Sequence, residues 1–244
     1  MRLSRLPILK RLIPSLRRRV RLVVWPKGWR IVRVDGVSLL INYHSFTDRL
    51  IAAGAWERAQ LEYFLAGIAR RGCEVFLDIG AYIGLYAVLV AAKTECREII
   101  AFEPDPLCHE RLRANLLLNN LIGRIETRPV ALSDRAGRIP FFRETVFGAS
   151  KSRVVPNGSF SVACARLDDS IALAGRRIAL KIDIEDHERE ALDGMKALLK
   201  NNRCFIQVEC SDGHLAEVRR ALADLGYRPV HEIGVDRYFT NEAG

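Results

Sequence analysis

The sequence lacks a long apolar run. None of its apolar stretches reaches the roughly 18–20 residues that a helix needs to cross a bilayer, so no membrane-spanning segment is predicted. The N-terminal stretch also lacks the apolar core of a secretory signal, because Pro7, Pro14 and the arginines at 17–19 and 21 interrupt it. These absences predict a cytoplasmic protein.

Paired-cysteine motifs are missing as well. The six cysteines include no C-x-x-C pair and no flanking histidine at the spacing of a zinc site. A disulfide framework is therefore not indicated, and buried, reduced thiols are expected. Internal repeats and low-complexity tracts are also absent, which excludes solenoid and fibrous classes.

Acidic residues are absent from residues 1–33, which contain eleven Lys and Arg side chains. The rest of the chain has 27 basic and 29 acidic residues, so the net charge of +9 belongs to one short arm. Apolar residues recur at three- and four-residue steps from Leu6 to Val20, which predicts a basic amphipathic helix that two prolines weaken.

Three roles stay open for this basic arm. Residues 1–24 are suited to peripheral contact with an anionic membrane, at the inner membrane surface, or form a plain tail. Nucleic-acid binding through phosphate neutralisation is ranked lower, since no aromatic residue precedes Trp25 and stacking on bases is not indicated.

After Gly72 the chain repeats one pattern of apolar run, turn and amphipathic helix. This pattern is typical of an α/β fold with a parallel sheet and crossover helices. The predicted strands cover 74–79, 98–103, 125–130, 178–184 and 204–209, the helices between them 83–92, 106–119, 187–200 and 213–225, and two last strands 227–230 and 237–240.

Upstream of that pattern, residues 30–42 predict two short strands around Asp35-Gly36, and 55–69 predict a helix. Residues 142–160 are the least patterned and predict a flexible loop. We predict three parts: a basic arm over 1–29, helical or disordered; a hairpin and helix packed on the core over 30–72; and a catalytic domain over 73–244.

The strongest local feature is an apolar strand that ends in Asp78 and is followed at once by a small-residue turn and a helix. Gly80 and Ala81 allow the backbone to approach a ligand closely, and Gly84 allows the helix to pack against the strand. A cofactor is therefore expected across the carboxyl edge of the sheet.

A second acidic residue, Glu103, lies at the tip of the next predicted strand, 23 residues after Gly80. A carboxylate at this position can accept hydrogen bonds from both hydroxyls of a ribose. Asp78 and the G-x-x-x-G turn fit a pyrophosphate poorly, because a carboxylate repels it, whereas the ammonium group of a methionine moiety is attracted. The pair of acidic residues thus favours S-adenosylmethionine over NAD as the cofactor.

Several segments resemble the FkbM-type methyltransferases, and the resemblance extends from about Gly54 to the end of the chain. They are VFLDIGAYIGLYAVLVA (75–91), AFEPDP (101–106), NLLLNNL (115–121), VALSDRAG (130–137) and LKIDIEDHEREALDGMKALL (180–199). The resemblance implies a Rossmann-like class I methyltransferase fold, doubly wound, with a mostly parallel seven-stranded sheet whose last strand is antiparallel.

The resemblance also implies the cofactor site. A small-Leu-Ser segment lies beside the adenine in this family, which places Ser133 and Asp134 there. The cofactor-binding set is predicted to be Asp78, Gly80, Ala81, Tyr82, Gly84, Glu103, Pro104, Ser133 and Asp134. Two residues depart from the family pattern, since Tyr82 replaces the usual Asn and Asp186 replaces the usual Gly.

Catalytic candidates lie at and just after the carboxyl end of the fourth predicted strand. Asp183 is expected next to the transferred methyl group, and His187, one turn further, is the candidate general base or acceptor-orienting group. Glu185 of the family's K-x-D-x-E pattern completes the predicted catalytic set. Glu209 is a further candidate for the acceptor pocket, while Glu57, beside Trp56, either closes over the site or only packs.

No metal site is predicted. Asp183, Glu185, Asp186 and Glu188 are acidic enough to hold Mg²⁺, but no second acidic cluster with ligand spacing accompanies them. The favoured function is O-methylation of a hydroxyl on a sugar, glycolipid or secondary metabolite, as the resemblance suggests. Two alternatives stay open: methylation of RNA or protein with the help of the basic arm, and a cofactor-binding module without catalysis.

Overall fold

The structure, a computed structural model, describes residues 28–144 and 151–242. The basic helix predicted from Leu6 to Val20 lies outside the described residues, and so do residues 145–150 of the predicted loop. Within the described part, each helix is too short or too polar to cross a bilayer. The division into three parts and the roles of the arm stay predictions.

The described chain begins with the predicted hairpin. Its strands are β1 (Trp29–Val34) and β2 (Val37–Asn42), and they pair antiparallel. Asp35 and Gly36 both have positive φ, 49° and 96°, as a two-residue turn of the mirror-image type requires. Two helices follow, α1 (Phe46–Ala52) and α2 (Arg58–Arg71), where the sequence predicted one.

A seven-stranded sheet forms the centre of the molecule. Its strands are β3 (Val75–Ile79), β4 (Glu98–Phe102), β5 (Glu126–Arg128), β10 (Arg177–Ile182), β11 (Arg203–Glu209), β12 (Arg228–Ile233) and β13 (Asp236–Thr240). Their spatial order is β12-β13-β11-β10-β3-β4-β5, and β13 alone runs antiparallel to its neighbours. The predicted fold class, with an antiparallel last strand, is confirmed.

Helices cover both faces of this sheet. They are α3 (Leu85–Lys93), α4 (Pro106–Leu118), α5 (Glu188–Asp193), α6 (Lys196–Asn201) and α7 (Asp212–Ala223). Alternate residues of one strand enter opposite cores: Phe76 packs with α2 and α3, whereas Leu77 packs with α5, α6 and α7. Because both faces are buried, the strands are nearly continuous apolar runs.

The single helix predicted over 187–200 is wrong. The chain forms α5 and α6 with a break at Gly194-Met195. A Cβ atom on Gly194 would lie 1.9 Å from the carbonyl oxygen of Ser133, so only glycine permits this approach. The break therefore lets the segment around Ser133 pack against the helical layer.

A second sheet of four strands is inserted between β5 and β10. Its strands are β6 (Ala131–Leu132), β7 (Gly137–Phe142), β8 (Arg153–Val154) and β9 (Phe160–Ala165), in the order β6-β9-β7-β8. The flexible loop predicted over 142–160 is thus wrong for its described ends, which enter β7, β8 and β9. Inward-facing Ile139, Phe141 and Val162 supply the small core of this sheet.

Candidate active site

A cavity of about 950 Å³, including its open mouth, lies at the carboxyl ends of the central parallel strands. The second sheet and the α1–α2 connection complete its walls. Nine predicted site residues line it: Asp78, Gly80, Ala81, Tyr82, Glu103, Pro104, Asp183, Glu185 and His187. Gly84, Ser133 and Asp134 do not line the cavity, although Ser133 contacts His187, which does.

Asp78 is held by the first turn of the helix that follows it. Its side chain is buried, and Oδ2 accepts a hydrogen bond from the backbone N–H of Ala87 at 3.1 Å. Burial raises the pKa of Asp78 to about 6, although the nearby Lys181 ammonium acts in the opposite sense. A cation bound beside this carboxyl would favour its ionised form.

The glycines of the turn serve packing within the protein. Gly80 has φ +84°, and a Cβ atom there would lie 1.8 Å from the carbonyl oxygen of Asp183. Gly84 has φ +81°, and its Cβ would lie 2.2 Å from Leu112 Cδ1 on α4. The close neighbour of Gly84 is therefore another helix, α4.

Tyr82, one of the two departures from the family pattern, adopts left-handed backbone geometry with φ 52°. Asparagine tolerates this geometry better than tyrosine. The tyrosine is held from two sides: its hydroxyl donates to Asp48 Oδ1 at 2.5 Å, and Arg111 pairs with the same buried aspartate. Its backbone N–H remains available to the neighbouring strand tip.

The Glu103 side chain accepts a hydrogen bond from this backbone N–H. Oε2 accepts from Tyr82 N and Oε1 accepts from Asp105 N, both at 2.8 Å. Burial raises the pKa of Glu103 to about 8 in spite of these two hydrogen bonds. Each carboxylate oxygen has more than one lone pair, so both oxygens can also accept from hydroxyl groups of a ligand.

Three ion pairs connect the second sheet to the rim of the cavity. Arg143 binds both carboxylate oxygens of Asp105, at 2.6 and 2.8 Å. On the other side, Lys151 Nζ lies 2.6 Å from Glu185 Oε1 and 3.2 Å from Glu209 Oε1. The insertion therefore contacts the wall at the tip of β4 as well as at the tip of β11.

Three carboxylates lie close together on the side of the cavity away from Glu103. Glu57, Asp183 and Glu209 each offer one oxygen, and these oxygens lie within 4.8 Å of one another. Lys181, itself buried, places Nζ 2.6 Å from Asp183 Oδ2. The oxygens are close enough to hold a cation, and in this structure lysine ammonium groups supply the positive charge beside two of them.

The crowding changes the proton affinity of these groups. Burial raises the pKa of Glu57 to about 7, while the negative charge of Asp183 and then burial raise the pKa of Glu209 to about 8. Burial alone would lower the pKa of Lys181, but the surrounding carboxylates outweigh it and raise the pKa above its usual value.

The remaining catalytic candidates lie after β10. His187 Nε2 is 3.1 Å from Ser133 Oγ, and burial lowers the pKa of the imidazole. Glu185 and Asp186 have positive φ, 54° and 71°, so Asp186 occupies the backbone geometry that glycine favours. Asp186 Oδ1 accepts from Ser211 Oγ at 2.9 Å, and its side chain thus belongs to the surface beside α7.

Sequence reasoning assigned no role to several residues that line the cavity. Lys181 precedes Asp183 by two positions and therefore shares its face of β10, a signal that strand periodicity offers. Tyr86 was hidden within an apolar helix, and Lys151 lay in the unpatterned segment. Glu57 could not be assigned, because its position depends on the bend between α1 and α2.

Comparisons with known proteins identify the family of the chain. A family model described as the methyltransferase FkbM domain matches residues 78–229. The chain is 27% identical to the 31-O-demethyl-FK506 methyltransferase FkbM of Streptomyces tacrolimicus, across 85% of this chain and 88% of that protein. It is also 32% identical to the 2-O-methyltransferase NoeI of Sinorhizobium fredii, across 62% of this chain and 70% of that protein.

A third relative is the hexuronic acid methyltransferase AglP of Haloferax volcanii, 28% identical across 57% of each chain. Among solved structures, the methyltransferase FkbM of Methylobacillus flagellatus superposes with a TM-score of 0.52 at 15% identity. That match covers 96% of this chain and 59% of the longer protein, and it supports the fold alone. Since the family model spans more than half of the sequence, the chain belongs to the FkbM methyltransferase family and is a methyltransferase.

Proposed function

We propose that the chain is an S-adenosylmethionine-dependent O-methyltransferase that acts on a hydroxyl of a sugar, glycolipid or secondary metabolite. The observation that carries this proposal is the charge of the cavity. Its lining includes six carboxylates but two lysines: Glu57, Asp78, Glu103, Asp183, Glu185 and Glu209 against Lys151 and Lys181. Such a wall favours a ligand that carries a cation and disfavours a pyrophosphate.

The residues fit S-adenosylmethionine part by part. Glu103, with lone pairs left on both oxygens, would accept from the ribose hydroxyls. Asp78 and the turn at Gly80 would hold the methionine end, where the ammonium group favours the ionised carboxylate. Pro104 lines the same cavity, whereas Ser133 and Asp134, which the family resemblance places beside the adenine, do not line it.

When bound, S-adenosylmethionine supplies a methyl group on a positively charged sulfur, which a nucleophile displaces in line. The protein's contribution is to fix the acceptor in line with that methyl group and to remove the proton of the acceptor hydroxyl. The carboxylate wall formed by Glu57, Asp183 and Glu209 suits both tasks, because its oxygens accept hydrogen bonds from hydroxyl groups.

The names of two relatives motivate the acceptor class. One is a 2-O-methyltransferase and another methylates a hexuronic acid. We therefore place hydroxyl-bearing sugars, hexuronic acids included, first among acceptors for this chain.

A two-step experiment tests the proposal. Calorimetry should show binding of S-adenosylmethionine, and Asp78→Ala or Glu103→Ala should each weaken it sharply. A panel of glycosides and hexuronic acids is then screened for S-adenosylhomocysteine formation. Unchanged affinity in either variant would overturn the cofactor site, and a panel without any turnover would overturn the acceptor class.

A further inference from the structure

The carboxylate wall consists of Glu57, Asp183 and Glu209. Its three side chains differ in their hydrogen-bond and ion-pair partners. Asp183 pairs with Lys181 at 2.6 Å, and Glu209 pairs with Lys151 at 3.2 Å. Glu57 instead accepts a hydrogen bond from the Tyr86 hydroxyl at 2.8 Å. Within the described part of the chain, no lysine or arginine forms an ion pair with Glu57. Glu57 can therefore accept a proton without breaking an ion pair, whereas Asp183 and Glu209 would each lose one.

The backbone directs Glu57 into the cavity. This residue immediately precedes α2 with left-handed geometry, φ 42°, and its side chain does not cap that helix. The carboxylate instead lines the cavity, as the neighbouring Trp56 does. A helix-capping role therefore does not account for its position.

A buried hydrogen-bond network fixes the partner of Glu57. The Tyr86 hydroxyl accepts from Gln207 Nε2 at 3.3 Å, and the same amide nitrogen donates to Asp236 Oδ1 at 2.7 Å. Lys181 Nζ lies 4.7 Å from the centre of the Tyr86 ring. Tyr86 is thereby oriented to donate its proton to one oxygen of Glu57.

We propose that Glu57 is the general base that takes the proton of the acceptor hydroxyl, a role that rests on the proposed function. As the acceptor oxygen forms its bond to the methyl carbon, the carbon–sulfur bond breaks and its electron pair stays on sulfur. The O–H electron pair remains on the acceptor oxygen, and the proton passes to a carboxylate oxygen of Glu57. Solvent removes that proton after the product leaves. Tyr86 is a positioning residue.

The surroundings of Glu57 make it a base that works near neutral pH. The groups that act on it come from α3, β10, β11 and β13: Tyr86, Lys181, Asp183, Glu209, Asp236 and Tyr238. Burial raises its pKa to about 7, and the Tyr86 hydrogen bond and Lys181 limit that rise. Turnover should therefore increase with pH through a limb near 7, because the base works only when ionised.

The test compares Glu57→Gln with Glu62→Gln, the same substitution at an exposed position of the same helix. For a sugar that the unmodified chain methylates, Glu57→Gln should lower kcat about 100- to 10,000-fold and remove the pH limb. Glu62→Gln should change neither. Calorimetric affinity for S-adenosylmethionine should stay within about threefold in both variants, since Glu57 has no assigned cofactor contact.

Two further variants separate a base from a structural residue. Glu57→Asp should recover part of kcat. Tyr86→Phe removes a hydrogen bond that lowers the pKa of Glu57, so the limb should move to higher pH. A readout without any acceptor is isotope-edited infrared spectroscopy: the protonated carboxyl band that titrates near pH 7 should lose the intensity of one carboxyl in Glu57→Gln and keep it in Glu62→Gln, while Glu103 and Glu209 still titrate near pH 8 in both variants.

The outcomes are distinct. If Glu57→Gln keeps more than half of kcat and its pH limb while His187→Gln loses both, the base is His187 and the proposal is overturned. If the Glu57→Gln variant loses no intensity from the carboxyl band that titrates near pH 7, Glu57 does not titrate there, which also overturns the proposal. If the unmodified chain methylates no sugar, the proposed function itself fails and Glu57 has no reaction to serve.

Discussion

The two halves of the cavity hold their carboxylates in different ways. On the side that we propose for the cofactor, Asp78 and Glu103 are bound by backbone N–H groups of Ala87, Tyr82 and Asp105. On the acceptor side, Glu57 and Glu209 are bound by side chains, a tyrosine and a lysine. Backbone donors persist whatever side chains surround them, whereas side-chain partners change with single substitutions. We therefore expect the fold to fix the proposed cofactor half, while the proposed acceptor half can vary within it.

The largest expected effect comes from a substitution that disturbs both halves of the cavity. Gly80→Ala would put Cβ 1.8 Å from the Asp183 carbonyl oxygen and would also strain a left-handed backbone. We expect the free energy of unfolding to fall by about 3 kcal/mol, measured by chemical denaturation. Gly123→Ala is the matched control, because Gly123 has φ +80° and an open surrounding, and it should lose only about 1–2 kcal/mol. Equal losses would show that the close approach carries no cost.

The next prediction separates the halves. Glu103→Gln removes the charge that a ribose would meet, and the affinity for S-adenosylmethionine should fall about 10- to 100-fold in calorimetry. Glu209→Gln, the same change on the acceptor side, should leave that affinity within about threefold. A reversed order would mean that the nucleoside lies on the other wall.

Much of the proposed cofactor half could be predicted from the sequence. Buried apolar runs mark strands, and the carboxyl ends of adjacent parallel strands must meet, so Asp78 and Glu103 were placed together correctly. The hairpin at Asp35-Gly36 was also visible, since two residues of positive φ have a distinctive sequence. Local patterns of this kind reflect the backbone, and the backbone shapes the cofactor half.

The acceptor half was harder to predict, for physical reasons. Strand β6 is two residues long and leaves no periodic pattern, although the alternation at Ile139 and Phe141 was available. Glu57 lines the cavity because it has left-handed backbone geometry at the junction of two helices. Lys151 lines the cavity because its side chain extends from the inserted sheet to Glu209. Both placements depend on tertiary contacts that one sequence does not encode locally.

A moderate effect is expected from pH on the cofactor side. In the free protein, burial raises the pKa of Glu103 to about 8 and that of Asp78 to about 6. Hydroxyl and ammonium donors favour the ionised carboxylates, so binding should release protons and the affinity should increase between pH 6 and 8, by about tenfold. Calorimetry in buffers of different ionisation enthalpy measures both quantities. An affinity independent of pH would contradict the assignment.

The smallest effect is expected from removal of divalent cations. Lys181 and Lys151 already supply positive charge beside Asp183 and Glu209, and a metal ion would have to compete with them. EDTA should therefore leave the affinity for S-adenosylmethionine and methyl transfer within about twofold. Loss of turnover that Mg²⁺ restores would mean that the acceptor carboxylates bind a metal.

A crystal structure with S-adenosylhomocysteine tests the central claim most directly. We expect the ribose hydroxyls to lie within hydrogen-bond distance of Glu103. The amino-acid end should lie beside Asp78 and the turn of Gly80, and the sulfur should face Glu57 and Asp183. A nucleoside bound against Glu57 and Glu209, or a Glu103 carboxylate that makes no contact with it, would contradict the account.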